Sequence, residues 1–70
     1  MNEISFELNG DFIELAKLLK AAGLCESGGT AKVAVTHSLV KVNGELETRR
    51  GRKIRRGYRV EYEGQTILVR

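Results

Sequence analysis

The sequence has few of the residues that staple, kink or catalyse. Its single cysteine, Cys25, excludes an internal disulfide framework, and a reducing compartment is the simple expectation. There is no proline, hence no Pro-rich linker, and neither an internal repeat nor a low-complexity tail interrupts the chain. No apolar run approaches ~18 residues, so no membrane span is expected. The opening "MNEISFELNG" is acidic and alternating, unlike a signal peptide. A cytoplasmic protein with no membrane partner is the expectation.

Catalytic residue sets are equally scarce. His37 is the only histidine, twelve residues from Cys25, and no third member completes a nucleophile arrangement. One Cys and one His make a poor zinc site, which usually has four ligands. Cys25 reads as a small apolar residue and His37 as a helix-end or loop residue. "ESGGTAK" lacks the Walker spacing. Glu45 and Glu47 lie among arginines, where balancing charge explains them better than acid–base work. Tyr58 and Tyr62 alternate in a strand, fit core or rim packing, and are too few for a single-strand reader. No enzymatic activity, cofactor or metal is expected.

What is present is a chain of 70 residues, one domain over 1–70, with 41% apolar and 30% charged residues. A core this small is marginally stable, although domains of this size fold alone. The formal net charge is +3, unevenly placed. Residues 1–40 hold three basic and five acidic side chains, and residues 41–70 hold nine basic and four acidic ones. A basic half matters more than the total, because attraction of a polyanion depends on the local field.

"ISFEL" alternates with Ile4, Phe6 and Leu8 on one face, the period of a half-buried strand. Asp11 is an N-cap type with Glu14 three residues on, a capping-box pattern, and Phe12, Leu15, Ala16, Leu19 and Ala22 form a helical stripe. The spacing predicts a helix over 11–22, stopped by Gly23 as the C′ residue. Ser27 suits a second N-cap, and a short helix over about 28–37 is chosen over a strand, although Val33, Val35 and Thr36 would suit either. "LVKVNGELET" reads as a hairpin around Asn43-Gly44. A strict two-residue turn would put Leu46 on the face of Leu39 and Lys41; one extra loop residue would align it with Val40 and Val42. The longer, bulged version is favoured. "YRVEY" and "TILVR" supply two more strands around the turn "EGQ". The first strand is expected to join the C-terminal ones.

Two stretches carry chemistry. In "TRRGRKIRRGYR", residues 48–59, seven of twelve side chains are Lys or Arg. The run is internal, Ile54 interrupts it, Gly57 punctuates it and strand-like residues flank it, so it is a tethered surface rather than a loose arm. Ile54 can pin it to the core while Arg49, Arg50, Arg52, Lys53, Arg55 and Arg56 stay in water. Such crowding costs self-repulsion, which a polyanion relieves; the competing reading is a solvated charged face. The second stretch is "ESGGTAK". Gly28 and Gly29 at a helix start leave backbone N–H groups unshielded, a setting that favours a phosphate oxygen, with Ser27 and Lys32 in reach. Alone, this could equally be a flexible helix start.

These elements in this order resemble the S-four RNA-binding domain family. That domain is named for a protein of the small ribosomal subunit and occurs in pseudouridine synthases, bacterial tyrosyl-tRNA synthetases and a small ribosome-rescue heat-shock protein. The marks are "LLKAAGLCESG..AK", "VKVNG" and the "I..G..V" of Ile54, Gly57 and Val60, spanning about residues 12–63. The form is most similar to small stand-alone bacterial members. The resemblance implies an alpha-L motif, two helices followed by a β-hairpin, over residues 12–63. The expected fold is therefore α+β, two antiparallel helices on a small, mainly antiparallel curled sheet of four or five strands.

The resemblance also implies an RNA surface at Ser27, Lys32, Lys41, Arg49 and Arg50. Arg52, Lys53, Arg55 and Arg56 join on charge alone, and Lys20 is a weaker candidate at the end of the first helix. Three departures stand out: Gly28 where many members have Arg, Ser38 where Gly is common, and Arg49-Arg50 where Pro often follows the hairpin. The first loses a phosphate-contacting side chain and places more reliance on residues 49–56 and on backbone N–H groups. The expected function is non-catalytic binding of structured RNA, ribosomal RNA or tRNA, by a monomer. A protein–protein adaptor docking its basic face on an acidic partner, and a DNA-binding module, remain the alternatives.

Overall fold

The computed structural model describes residues 2–70. The chain runs through β1 (Asn2–Phe6), β2 (Ile13–Glu14), α1 (Leu15–Ala21), α2 (Gly28–Thr36), β3 (Val40–Val42), β4 (Glu45–Leu46), β5 (Lys53–Ile54), β6 (Arg59–Tyr62) and β7 (Gln65–Val69). Five strands form one sheet in the order β1-β7-β6-β3-β4, and β2 pairs with β5 in a separate two-stranded ribbon. Among the described residues only β1 and β7 run parallel, with Ile4 opposite Ile67 and Phe6 opposite Val69. The fold is thus α+β with a mainly antiparallel sheet, as the sequence led us to expect.

Alternation along the strands selects the buried face. Val40 and Val42 on β3 are buried while Lys41 between them is exposed, and Val60 on β6 is buried beside exposed Arg59. Against this face pack Leu15, Ala16, Leu18 and Leu19 of α1 and Ala31, Ala34 and Val35 of α2, joined by Cys25, Ile54, Ile67 and Val69. Fully burying one such aliphatic side chain contributes roughly 1.5–3 kcal/mol, so few can be lost from so small a core.

Helix α1 ends as its glycine predicts. Gly23 has φ +83, its N–H reaches the Lys20 carbonyl at 3.0 Å, and the Leu24 N–H reaches Leu19 at 3.0 Å, the paired bonds of a Schellman cap. Helix α2 ends the same way with Ser38 at φ 62, its N–H on Val35 and the Leu39 N–H on Ala34, both at 3.1 Å.

Two expectations need correction. The first helix begins at Leu15, not at residue 11, and Asp11 does not cap it; the N-cap is Glu14, without a side-chain cap bond. Residues 13 and 14 are instead held as strand, opposite Ile54 and Lys53. The Leu15 and Ala16 N–H groups, orphans of any helix start, donate to the carbonyls of Arg52 (2.9 Å) and Arg50 (3.1 Å). Tertiary pairing replaces the local cap. Phe12 consequently leaves the helical stripe and is 41% exposed.

The second correction concerns the hairpin. It has the strict two-residue turn, Val42 opposite Glu45 and Lys41 opposite Leu46. Asn43 (φ 52) and Gly44 (φ +86) both take positive φ, which a type I′ turn requires and whose twist matches the strands, so no bulge is needed. Leu46 therefore points away from the core, 62% exposed, and lines a shallow groove with Leu39 and Lys41.

Candidate nucleic-acid interface

The basic segment connects β4, at the sheet edge, to β6, two strands inward, and crosses the start of α1 on the way. Three kinds of tether fix its path. Ile54 is fully buried. The β2–β5 ribbon and the two bonds from the α1 start hold its backbone. Short turns tighten it: Arg52 N–H to the Arg49 carbonyl and Tyr58 N–H to the Arg55 carbonyl, both 3.1 Å. The cations thus stand on ordered backbone.

Glu47 organises one end. Its side chain is only 8% exposed. Oε2 accepts from the backbone N–H and the Nε of Arg49, each at 3.0 Å. Oε1 accepts from Arg49 Nη2 at 3.0 Å and from Arg52 Nη1 at 2.6 Å. These bonds, led by the Arg49 guanidinium, outweigh desolvation and hold the carboxyl down at about 2. Arg49 spends two of its five donors here and keeps its side chain 72% exposed, so it is oriented by Glu47 yet open to a second anion. Arg52, 31% exposed, also sits over the Tyr58 ring at 5.8 Å from the centroid.

The remaining cations differ. Arg56 donates from Nη2 to the Leu8 carbonyl at 2.8 Å, which ties it to the fold. Arg50, Lys53 and Arg55 are exposed and have no carboxylate partner among the described residues. Lys53 Nζ lies 5.0 Å, and the Arg55 guanidinium 5.8 Å, from the centroid of the Phe12 ring.

The start of α2 forms a separate part. Ser27 Oγ accepts the Thr30 N–H at 3.1 Å, the expected cap, and also lies 3.1 Å from the Thr30 hydroxyl. Gly28 and Gly29 are not at positive φ, and a Cβ would meet nothing within 4 Å at Gly28 and only Ser27 Oγ at 3.7 Å at Gly29. Neither conformation nor packing requires glycine there. Lys32 is exposed one turn further on.

The two parts border opposite ends of α1. The basic segment meets its first N–H groups, while the Cys25 N–H, two residues before Ser27, bonds to Leu19 near its end. A seven-residue helix is about 10 Å long. Lys41 stands apart: on β3 it faces away from the core, between Leu46 and Glu61. Lys20 is exposed in the last turn of α1.

Sequence reasoning passed over Phe12 and undervalued Glu47. Phe12 was masked by the helical stripe. Glu47 had a signal, an acid immediately before an acid-free cationic run, but its burial is a tertiary fact. Cys25 is buried, and that burial pushes its thiol up. Among the described residues no cluster of three or more His, Cys, Asp or Glu could hold a metal ion, and no helix is long and apolar enough to cross a membrane.

The family model for the S4 domain matches residues 6–70. The chain is 44% identical over 57 residues to the Escherichia coli (strain K12) protein named "Putative RNA-binding protein YbcJ", covering 81% of each. It is 43% identical over 63 residues to the Bacillus subtilis (strain 168) protein named "Probable ribosome maturation protein RlbA", covering 90% of this chain and 86% of that one. The solution structure of YbcJ from E. coli, described as revealing an alpha-L motif involved in RNA binding, superposes with a TM-score of 0.66 at 39% identity. That superposition covers 99% of this chain and 86% of the other.

Proposed function

The chain belongs to the S4 domain family, and from that premise we propose that it is a non-catalytic module that binds structured RNA through its phosphate backbone. The observation that carries the reading is the segment 48–60. It contains no acid, its backbone is bonded to the α1 start, and Ile54 anchors it in the core. Cations fixed in place lose little freedom on meeting phosphates, so repulsion stored in the free protein becomes attraction in the complex.

Arg50, Lys53 and Arg55 are the primary contacts in this reading, with Arg49 presented by Glu47. Arg52 and Arg56 contribute field more than contact, because their donors are partly engaged. The α2 start takes a further phosphate on the Gly28 and Gly29 N–H groups, with Lys32 alongside. Close approach of a phosphate to the backbone gives these two glycines a reason that the fold does not. Lys41 is peripheral. The motif region is residues 12–63, and the protein acts as a monomer in the cytoplasm. A-form RNA offers backbone and hydroxyls more readily than base edges, which suits a face of cations and N–H groups. The name of the B. subtilis relative favours ribosomal RNA over tRNA.

The test is binding of purified ribosomal RNA, tRNA and duplex DNA by the protein and by its R50Q/K53Q/R55Q variant. These three side chains are exposed and lack acid partners, so the variant should melt like the wild type. Ribosomal RNA should bind most tightly, and the variant should bind at least tenfold more weakly. Undiminished binding by a folded variant would move the interface elsewhere, and preference for duplex DNA would overturn the RNA reading.

A further inference from the structure

Phe12 is the one aromatic side chain set outside the core cluster and its partly buried fringe. Scattered exposed hydrophobics are ordinary, but its surroundings are not. It immediately precedes β2, whose register places Ile13 opposite Ile54 and Glu14 opposite Lys53. One step further along the ribbon, Phe12 stands across from Arg55. The ribbon sends Ile54 into the core and turns Phe12, Lys53 and Arg55 outward. The two cations lie 5.0 and 5.8 Å from the ring centroid, within cation–π range. Glu14 shares this side, but Lys17 Nζ lies 3.5 Å from its carboxylate and offsets its charge.

We propose that Phe12, Lys53 and Arg55 form a stacking site for one unpaired nucleobase: the ring takes the base, and the two cations take the phosphates that flank it. The inference rests on the RNA-binding reading above and adds to it a choice among RNAs. In a continuous duplex both faces of every base are covered by neighbours, so a protein ring finds nothing to stack on. A bulged or unpaired nucleotide exposes a face, and aromatic stacking on such bases is a general mode of RNA recognition. In the free protein Lys53 and Arg55 cover the ring through weak, solvent-screened contacts. Both side chains are long and exposed, so they can leave the ring for a phosphate as the base arrives. The aromatic group thereby converts a face that attracts any polyanion into one that selects backbone beside an interruption in the helix.

The experiment compares a blunt RNA duplex with the same duplex carrying one internal unpaired 2-aminopurine, whose fluorescence falls when it stacks. Wild type, Phe12→Leu and Phe12→Trp are tested against both. Wild type should prefer the interrupted duplex by a factor of about 5 to 150, the range that one base–aromatic stack supplies, and should quench the probe. Phe12→Leu retains apolar bulk; it should bind the blunt duplex as wild type does and lose both the preference and the quenching. Phe12→Trp should keep both. Preference or quenching that survives in Phe12→Leu overturns the stacking site. Wild type binding both RNAs alike overturns it too while leaving the basic face standing, whereas wild type binding neither overturns the basic-face reading and this inference together.

Discussion

Glu47 carries a charge opposite to its surroundings, and its burial gives it influence. A carboxylate that is 8% exposed and accepts four hydrogen bonds from two arginines fixes the start of the basic segment. Its carboxyl is lowered from 4.5 to about 2, mainly by the Arg49 side chain. A group depressed in the folded state adds stability above its unfolded value, and that stability is lost as pH falls through the folded value. The window here runs from about 4.5 down to about 2. The full shift would correspond to about 3 kcal/mol; Arg49 is largely in water, and screening reduces this to ~1–2 kcal/mol. Urea unfolding at pH 7, 4 and 3 should show wild type losing most, though not all, of this amount relative to Glu47→Gln as the pH drops, because the window extends below pH 3. Equal pH dependence in the two proteins would mean that the cluster does not stabilise the fold. Glu47→Gln also raises the net positive charge by one while loosening Arg49. RNA affinity should therefore fall despite the added charge, which separates orientation from simple attraction.

The two helix starts show why some elements were legible in the sequence and others were not. Ser27 caps α2 by a bond to its own third neighbour, Thr30, a local relation that spacing reveals. Asp11, Glu14 and the stripe from Phe12 give an equally good local pattern, and it fails, because residues 53 and 54, about forty positions away, pull residues 13 and 14 into strand pairing. Ser27→Ala should cost about 0.5–2 kcal/mol, the usual worth of such a cap. Asp11→Ala should change stability by less than ~0.5 kcal/mol, as for an exposed residue that does not cap the helix and has no side-chain partner among the described residues. Thermal melts of the two variants decide this, and an equal loss in both would restore Asp11 as a cap. The hairpin teaches the same lesson in reverse. Asn43-Gly44 specifies the tight turn by itself; the bulged version, which would align Leu46 with Val40 and Val42, does not form, and the fold leaves Leu46 in water. The alpha-L order of elements and the position of the basic run were readable because they depend on periodicity, turn residues and composition. The buried Glu47, the outward Phe12 and the position of Lys41 on the outward sheet face, which it shares with Arg59, are consequences of tertiary placement.

On the scale of the whole molecule, the net charge of +3 conceals two faces. The segment crossing the α1 start holds Arg49, Arg50, Arg52, Lys53, Arg55 and Arg56, whereas alternation on β6 turns Arg59 to the far side of the sheet, beside Leu68. A polyanion seated on the first face meets roughly four to six of the available cations. Counterion release then gives log affinity against log salt a slope of about −3 to −5. Magnitude alone would not locate the interface, because any cationic protein shows some salt dependence. The two faces supply the control. Arg50→Gln and Arg59→Gln remove the same charge from exposed positions, so a response set by net charge would be equal for both. A response set by contact would flatten the slope by about one for Arg50→Gln, the contribution of a single lost phosphate, and leave it unchanged for Arg59→Gln. Titrations of structured RNA at several salt concentrations, with both variants checked for unaltered melting, measure this directly. Equal slopes in the two variants would mean that the molecule attracts RNA through its total charge, and that the ordered segment at the α1 start has no privileged part in binding.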